Sequence, residues 1–295
     1  MHRFVLYNDE ILDANETCVS PGHMGFMTGW GVFSTIRVSH GVLFEFGRHF
    51  ARMADDSVRV RVPFPSGSKW LEDRLLRLVE ANQAYESTLR VNIIRNKGGL
   101  FQGPDIDRDF DVVAFTTNLN AWGDSVRLGI VPEARHAANR FAGTKVTSWI
   151  FNLNLYEEAH ERGFDEVVLL NERGHVSECT SANIFATFGS EVRTPPLSSG
   201  CLAGITRDLL LNEIKVEGIS FFEHTLTVED LSRAGEVFIT STTRNVLPVV
   251  EIEGVRLQSR GDAGVRLGAA LREYIEDYCS KTRILSNSPH FVQPV

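Results

Sequence analysis

The stretch GHVSECTSANIF, residues 174–185, is the most informative part of this chain. Its glycine and polar residues are typical of a hairpin turn, and the apolar residues that follow are typical of a half-buried strand. A single carboxylate, Glu178, stands among small side chains. Taken alone it is interpreted as an exposed strand carboxylate, so a chemical role needs support from elsewhere in the chain.

Around this stretch, short strands and helices alternate without a regular β-α rhythm. Hairpin turns are predicted at Asn8-Asp9 and at Ser39-His40-Gly41, where polar residues separate short apolar runs. Apolar residues at helical spacing predict helices over 47–62, 69–83, 147–162, 201–217, 227–234 and 264–281. This order of elements favours an α+β fold over a doubly wound parallel sheet.

The length of the chain favours two domains, because single cores stop growing at about 250–300 residues and this chain has 295. Residues 118–126 lack periodicity and are predicted to form a linker. The predicted domains are an N-terminal α/β domain, 1–117, and a C-terminal α/β domain, 127–295.

The composition argues against several classes of protein. With 43% hydrophobic and 23% charged residues, the chain has the make-up of a soluble globular protein. Its net charge of −8 and its scattered basic residues argue against a nucleic-acid surface. No apolar run approaches the roughly 20 residues of a membrane span, and the N-terminus lacks a secretory signal pattern. Four cysteines without a CxxC pair predict a reduced, cytoplasmic location and no metal site.

Lys145 precedes a predicted helix with an apolar face, and taken alone it is interpreted as a solvated lysine. A helix, a strand and a turn separate it from Glu178. That arrangement can bring the two side chains to opposite sides of one cavity.

Two further segments have features that bind anions. SSGCLAGITRDLLL, 198–211, runs through a glycine, Ile205 and Thr206 into a helix, and backbone N–H groups at a helix N-terminus attract phosphate. FITSTTRNVLP, 238–248, places Ser241 and Thr242 at the end of an apolar strand, where hydroxyl and amide groups can bind further phosphate oxygens. Either segment alone is more often a helix cap or a turn.

The order of these segments resembles a known family. The matching blocks, within about residues 3–275, are GFMTGWGVFSTIRVSHG, HFARM, the segment around Lys145, DEVVLLNERGHVSECTSANIF, TPPLSSGCLAGITR and TSTTRNVLPV. The chain resembles the class IV pyridoxal-phosphate aminotransferases, which include branched-chain and D-amino-acid aminotransferases and aminodeoxychorismate lyase. The resemblance implies a two-domain α+β fold with pyridoxal 5'-phosphate bound at the domain interface, and a homodimer.

The resemblance also implies roles for cofactor-binding residues. Lys145 matches the lysine that forms a Schiff base with the cofactor aldehyde and later moves a proton. Glu178 matches the carboxylate that pairs with the pyridine nitrogen and keeps the ring protonated, and its small neighbours let the ring lie flat against the strand. The residues implied to bind the phosphate are Arg52, Ile205, Thr206, Ser241 and Thr242, and Asn183 is implied to support the site.

The substrate residues implied by the resemblance lie where this chain departs from its relatives. Trp149 stands where branched-chain enzymes have a tyrosine that bonds the cofactor's phenolic oxygen, and Thr28 replaces a tyrosine of the substrate pocket. Arg90 matches the arginine on the carboxylate side of branched-chain enzymes, and the backbone at Thr243 is expected to add N–H donors. Phe33 and Thr28 are expected to line the substrate pocket. The alternative to a substrate-binding role for Arg90 is an ordinary position on the surface of a strand.

The predicted reaction moves an amino group between an L-amino acid, of branched-chain type, and a 2-oxo acid. The arginine and histidine that hold the substrate carboxylate in D-amino-acid aminotransferases correspond here to the uncharged Leu100 and Gln102. Three alternatives stay open: a lyase that releases pyruvate from aminodeoxychorismate, a D-amino-acid aminotransferase, and a cofactor-binding protein without turnover. The segment FSTIR, 33–37, leans toward the lyase, because branched-chain enzymes commonly have FEGIR.

Overall fold

A computed structural model describes residues 1–17, 19, 22–98, 106–257 and 261–286. The chain divides into two compact units, of which the first comprises Met1–Leu119 with Arg272–Val295 and the second comprises Asn120–Leu271. Within the described ranges, no helix is long and apolar enough to cross a membrane. Leu100 and Gln102 lie outside the described residues.

The first unit is built on a six-stranded antiparallel sheet. Its strands are β1 (Phe4–Tyr7), β2 (Glu10–Asp13), β3 (Gly31–Ser39), β4 (Val42–Leu43), β5 (Ser87–Arg95) and β6 (Phe110–Thr117). They lie in the order β2-β1-β6-β5-β3-β4. Both predicted hairpins are confirmed, because β1 pairs with β2 across Asn8-Asp9 and β3 pairs with β4 across His40-Gly41.

Among the described residues of Met1–Leu119, three helices accompany this sheet: α1 (Met24–Thr28), α2 (Phe46–Val60) and α3 (Ser68–Ala81). The leucines that recur at helical spacing in α3 are fully buried, as are alternate residues of β5. They belong to one apolar cluster, which includes Leu71, Leu75, Leu78, Leu89, Val91 and Ile93. The core of the first unit therefore lies between α3 and one face of the sheet.

The second unit is built on a nine-stranded sheet. Its strands are β7 (Val126–Arg135), β8 (Glu166–Asn171), β9 (Val176–Cys179), β10 (Asn183–Phe188), β11 (Glu191–Thr194), β12 (Ser220–Glu223), β13 (Val237–Ser241), β14 (Asn245–Ile252) and β15 (Val255–Arg256). The order is β12-β11-β10-β13-β14-β7-β8-β9, with β15 on β14. Because only residues 180–182 connect β9 to β10, the path from β10 to β9 curls back on itself. Parallel and antiparallel pairs occur together, and helices do not alternate regularly with strands along the chain, which confirms the α+β class.

The remaining helices are α4 (Ile150–Glu161), α5 (Ile205–Asn212), α6 (Val228–Arg233) and α7 (Ala263–Ser286). All four were predicted, but α4 begins three residues and α5 four residues later than predicted. Residues 201–204 are not helical because side chains already bind the backbone of Leu202. Glu178 accepts a hydrogen bond from the N–H of Leu202, and Asn183 donates one to the carbonyl oxygen of Leu202. Gly204 is extended, with φ −68° and ψ 140°.

The end of the chain groups differently from the predicted C-terminal domain, 127–295. The residues of α7 from Arg272 onward belong to the first unit. There the Tyr274 hydroxyl donates to Glu45 at 2.7 Å, the rings of Tyr274 and Tyr278 contact the ring of Phe44 edge-on, and His40 Nε2 lies 2.9 Å from a carboxylate oxygen of α7. The boundary between Leu119 and Asn120 falls within the predicted linker, 118–126.

Candidate active site

Glu178 lies near the end of β9, opposite Leu169 of β8, and is 9% exposed. Its Oε1 accepts a hydrogen bond from Arg135 Nε at 3.1 Å, and its Oε2 accepts one from the backbone N–H of Leu202 at 3.0 Å. Charge-assisted bonds of this kind fix the direction of a carboxylate. Glu178 is therefore a buried and oriented carboxylate, not the exposed strand residue that the sequence alone suggests.

Arg135 and Asn152 were not predicted from the sequence. Arg135 ends β7, and its Nη2 donates to Asn152 Oδ1 at 3.2 Å. Asn152 lies in the first turn of α4 and donates from Nδ2 to the carbonyl oxygen of Thr180 at 2.5 Å. These contacts join the start of the helix after Lys145 to the turn after Glu178. The sequence signal is a pair of amides, Asn152 and Asn154, within the apolar run that opens α4.

Lys145 is half-buried in the segment that precedes α4. Gly143, two residues earlier, has φ +71°, and a Cβ there would lie 2.7 Å from the carbonyl oxygen of Cys201. The close approach of the two backbones therefore requires glycine. Since the N–H of the next residue, Leu202, holds Glu178, the segments that carry Lys145 and Glu178 both contact Cys201–Leu202.

The N-terminus of α5 follows Gly204 directly. The first backbone N–H groups of a helix have no intrahelical acceptor, and within the described chain no side chain caps this helix. Asn183 Nδ2 donates to the carbonyl oxygen of Leu202 at 2.9 Å, and a Cβ on Gly204 would lie 2.1 Å from Asn183 Oδ1. Asn183 thus fixes the turn that presents the amides of Ile205 and Thr206.

The polar turn between β13 and β14 contains Thr242 and Thr243. Ser241 ends β13, and its Oγ accepts a hydrogen bond from the backbone N–H of Arg244 at 3.1 Å and lies 3.4 Å from Thr243 Oγ1. The preceding residue of β13 pairs with Asn183 of β10. The turn therefore lies beside the residue that fixes the start of α5.

Arg52 lies on α2 in the first unit and is half-buried. Its Nη2 donates to Ser34 Oγ at 2.8 Å, and Ser34 Oγ also lies 2.7 Å from His49 Nδ1. Burial lowers the pKa of Arg52 to about 10, and the charge of Asp56 opposes that shift. The guanidinium is therefore charged at neutral pH and has a fixed orientation.

Arg90 lies on β5 of the same unit, with its Cζ 3.8 Å from the ring centroid of Phe33. Its Nε donates to Asn92 Oδ1 at 3.3 Å, and burial lowers its pKa. The alternative of a surface strand position is therefore not supported, since Arg90 is half-buried on a fully buried ring. Thr28 is exposed at the end of α1, and its hydroxyl donates to the carbonyl oxygen of Met24 at 2.6 Å.

The second unit thus carries a lysine, an oriented carboxylate, an uncapped helix N-terminus and a hydroxyl-rich turn. A lysine amine reacts with aldehydes, helix amides and hydroxyls bind phosphate, and a carboxylate pairs with a protonated ring nitrogen. Together these groups suit an enzyme whose cofactor combines an aldehyde, a phosphate and a pyridine ring, as pyridoxal 5'-phosphate does.

Comparison with known proteins identifies the family. The profile of the family described as amino-transferase class IV matches residues 31–252. The chain therefore belongs to the class IV aminotransferases, which use pyridoxal 5'-phosphate. The predictions of the family, of an aminotransferase and of its fold are confirmed.

Individual relatives include enzymes of different specificity. The D-alanine aminotransferase of Bacillus licheniformis is 28% identical over 273 residues, which cover 86% of this chain and 90% of the relative. The branched-chain-amino-acid aminotransferase of Escherichia coli (strain K12) is 26% identical over 266 residues, 86% of each chain. Among solved structures, the branched-chain aminotransferase of Thermoproteus uzoniensis with norvaline has a TM-score of 0.84 at 25% identity. The superposition covers 95% of this chain and 97% of the Thermoproteus uzoniensis chain.

Proposed function

We propose that this class IV aminotransferase moves an amino group between an L-amino acid with a branched aliphatic side chain and a 2-oxo acid. The cofactor chemistry is supported above all by the carboxylate of Glu178, which Arg135 and the Leu202 amide hold at 3.1 and 3.0 Å. The choice of donor is supported by Arg90, whose half-buried charge lies against the apolar ring of Phe33. D-Alanine is the second candidate donor, since the Bacillus licheniformis relative is named for it.

The described residues fit pyridoxal 5'-phosphate. The uncapped amides at the start of α5 suit a phosphate dianion. Gly204 allows the close approach of Asn183, since a Cβ at this position would lie 2.1 Å from Asn183 Oδ1, so the turn that presents these amides depends on glycine. The oriented carboxylate of Glu178 suits a protonated pyridine nitrogen. When bound, the cofactor supplies a conjugated ring that accepts electron density as the Cα–H bond of the amino acid breaks.

Each residue of the site has a proposed task. Lys145 Nζ attaches the cofactor and, once released, takes the proton from the substrate Cα. Glu178 holds the proton on the pyridine nitrogen. The residues proposed to bind the substrate are Arg90, Thr243, Phe33 and Thr28, and the charge of Arg90 and the backbone N–H of Thr243 are groups that suit a carboxylate. The residues proposed to bind the phosphate are Arg52, Ile205, Thr206, Ser241 and Thr242.

The reaction is tested with a panel of amino donors and 2-oxoglutarate as acceptor. We expect L-leucine, L-valine and L-isoleucine to react faster than D-alanine, and each to bleach the visible absorbance of the bound cofactor when added alone. Faster turnover of D-alanine would favour the second candidate. Release of pyruvate from aminodeoxychorismate without an acceptor would favour the lyase, and a coloured protein inert to every donor would contradict turnover altogether.

We also propose that the protein is a homodimer. The first turn of α4, five residues after Lys145, exposes Ile150 by 65% and Phe151 by 78%, and Leu153 by 45%. An apolar patch of this kind is typical of an interaction surface. Phe151→Asp should shift the sedimentation coefficient toward that of a monomer of 33.0 kDa, whereas Val58→Asp, at an equally exposed position of α2, should not. A monomeric wild type would contradict this proposal.

A cytoplasmic location is the last part of the proposal. Among the described cysteines, Cys179, Cys201 and Cys279 are free and buried. Buried free thiols suit a reducing compartment. Fractionation of the cells that produce the protein, with immunodetection in each fraction, tests the location.

A further inference from the structure

Two buried charges of the second unit have no task in the proposed chemistry. Arg244 lies in the turn between β13 and β14, directly after Thr242 and Thr243, and Glu166 begins β8. Arg244 Nη2 lies 3.2 Å from Glu166 Oε2, and the two side chains are 2% and 0% exposed. Burying an ion pair is costly unless further hydrogen bonds satisfy both groups, so the surroundings of this pair need an explanation.

Glu166 holds the turn that follows Glu178. Its Oε1 accepts hydrogen bonds from the Thr180 hydroxyl at 2.6 Å and from the Thr180 N–H at 3.2 Å, and its Oε2 accepts one from the Ser181 hydroxyl at 2.9 Å. Thr180 and Ser181 belong to the turn of three residues between β9 and β10. The carboxylate of Glu166 therefore fixes the connection between Glu178 and Asn183.

Arg244 holds the same turn from the other side. Its Nη1 donates to the carbonyl oxygen of Ser181 at 3.2 Å and to the Ser181 hydroxyl at 2.9 Å, and its Cζ lies 3.8 Å from the ring centroid of Trp122. Its backbone N–H donates to Ser241 Oγ. A planar guanidinium can make these contacts together, whereas the ammonium of lysine cannot reproduce the fork or the flat stacking.

The strand register explains why two charges can span both turns. Cys179 lies opposite Val168, so the following turn lies beside Glu166 at the start of β8. Asn183 lies opposite Thr240, so the same turn also lies beside the β13–β14 turn. The starts of β8, β10 and β14 and the ends of β9 and β13 meet at one edge of the curled sheet.

We propose that the Arg244–Glu166 pair positions the active site by setting the distance between the turn after Glu178 and the turn that carries Thr242 and Thr243. The inference rests on the proposed function, because it assigns the two threonines to the phosphate and the substrate carboxylate. Arg244 and Glu166 are positioning residues that act through these turns.

The test compares Arg244→Met, Arg244→Lys, Glu166→Gln and the double variant Glu166→Gln/Arg244→Met. Arg193→Met is the matched control, because Arg193 also pairs with a glutamate, Glu191 at 2.5 Å, and lies over a ring, but on the partly exposed β11. Dissociation constants for pyridoxal 5'-phosphate and for pyridoxal are measured by equilibrium dialysis. The dissociation constant for pyridoxal divided by that for pyridoxal 5'-phosphate isolates the contribution of the phosphate contacts without any turnover. KM and kcat for the donor and the melting temperature complete the set.

We expect Arg244→Met to lower that ratio and to raise KM for the donor, each by about tenfold or more, because small displacements of positioning groups are costly. At saturating donor, kcat should change less. Arg244→Lys should restore little of the lost ratio or of the wild-type KM, because lysine cannot reproduce the fork of the guanidinium. The double variant should be no worse than the worse single variant, because both single changes break the same link. Arg193→Met should match the wild type.

An unchanged ratio and an unchanged KM in folded Arg244→Met, with only a lower melting temperature, would overturn the inference. If that variant does not fold, the double variant, which leaves no unpaired buried charge, is judged by the same criteria. A wild type that binds neither cofactor nor donor would refute the proposed function itself. A wild type that binds and reacts, beside unchanged variants, would refute this inference alone.

Discussion

Replacing Glu178 with glutamine keeps the shape of the side chain and removes its charge. Both carboxylate oxygens accept hydrogen bonds, from Arg135 Nε at 3.1 Å and from the Leu202 N–H at 3.0 Å. A glutamine has one acceptor oxygen and one NH₂ donor, so one of these two donors would then face another donor. The variant should therefore lose a hydrogen bond as well as the charge proposed to hold the ring proton.

The effect of Glu178→Gln on rate should exceed its effect on folding. A hydrogen bond to a charged group contributes about 1.5–3 kcal/mol. The side chains of Arg135 and Glu178 are 18% and 12% exposed, so water screens this contact only in part. Removing a preorganised charge from an active site typically raises the barrier by about 3–4 kcal/mol, which slows the reaction about 10²- to 10³-fold.

Stopped-flow absorbance in a single turnover with L-leucine measures this rate, and the cofactor content of the variant is determined in the same preparation. Glu191→Gln is the matched control, because Glu191 also lies on a strand and pairs with an arginine, but at a partly exposed position. We expect the control to keep the wild-type rate. A near-wild-type rate in Glu178→Gln with full cofactor content would show that the carboxylate is only structural.

Four further variants test the other parts of the site. Lys145→Ala should fold and still bind the cofactor reversibly, but borohydride should fix no cofactor to it, whereas labelling of the wild type on another lysine would contradict the assignment. Arg52→Ala should weaken cofactor affinity, and excess cofactor should restore most of the rate; without such rescue Arg52 has another task. Arg90→Ala should raise KM for the donor more than tenfold, about 1.4 kcal/mol, and an unchanged KM would refute its role. Gly143→Ala should lower both the melting temperature and the cofactor affinity, because Gly143 has a φ of +71° and contacts a backbone carbonyl. Gly163→Ala is the control: Gly163 has a φ of +81° but open space around it, so this change should lower stability alone.

The sequence was sufficient to predict features that depend on neighbouring residues. One strand-turn-strand segment carries both Glu178 and Asn183, so their proximity is local. The helix periods were recognisable because an apolar face recurs with every turn. The boundaries of α5 were less accurate, because side chains from distant strands bind the backbone of residues 201–204, and no local pattern reports such contacts.

The contacts between distant segments could not be predicted. Arg135 reaches a carboxylate 43 residues away, and Arg244 reaches one 78 residues away. Both pairs depend on the order of strands in the sheet, which hydrophobic periodicity does not encode. From the sequence alone, Arg244 cannot be distinguished from the other polar residues of its turn. The sequence did not predict that α7 from Arg272 onward groups with the first unit, for the same reason: Tyr274 contacts Glu45 across 229 positions.

The position of Glu178 follows from strand register rather than from a flexible loop. A slip of one residue in β9 would turn its side chain to the other face of the sheet, because side chains alternate along a strand. Two pairings prevent that slip, Cys179 opposite Val168 on one side and Asn183 opposite Thr240 on the other, and only three residues separate them. A connection this short allows no compensating shift, so the closure of the curled sheet and the placement of the carboxylate depend on the same contacts. The charges proposed to position this turn therefore serve the geometry of the active site as much as the stability of the fold.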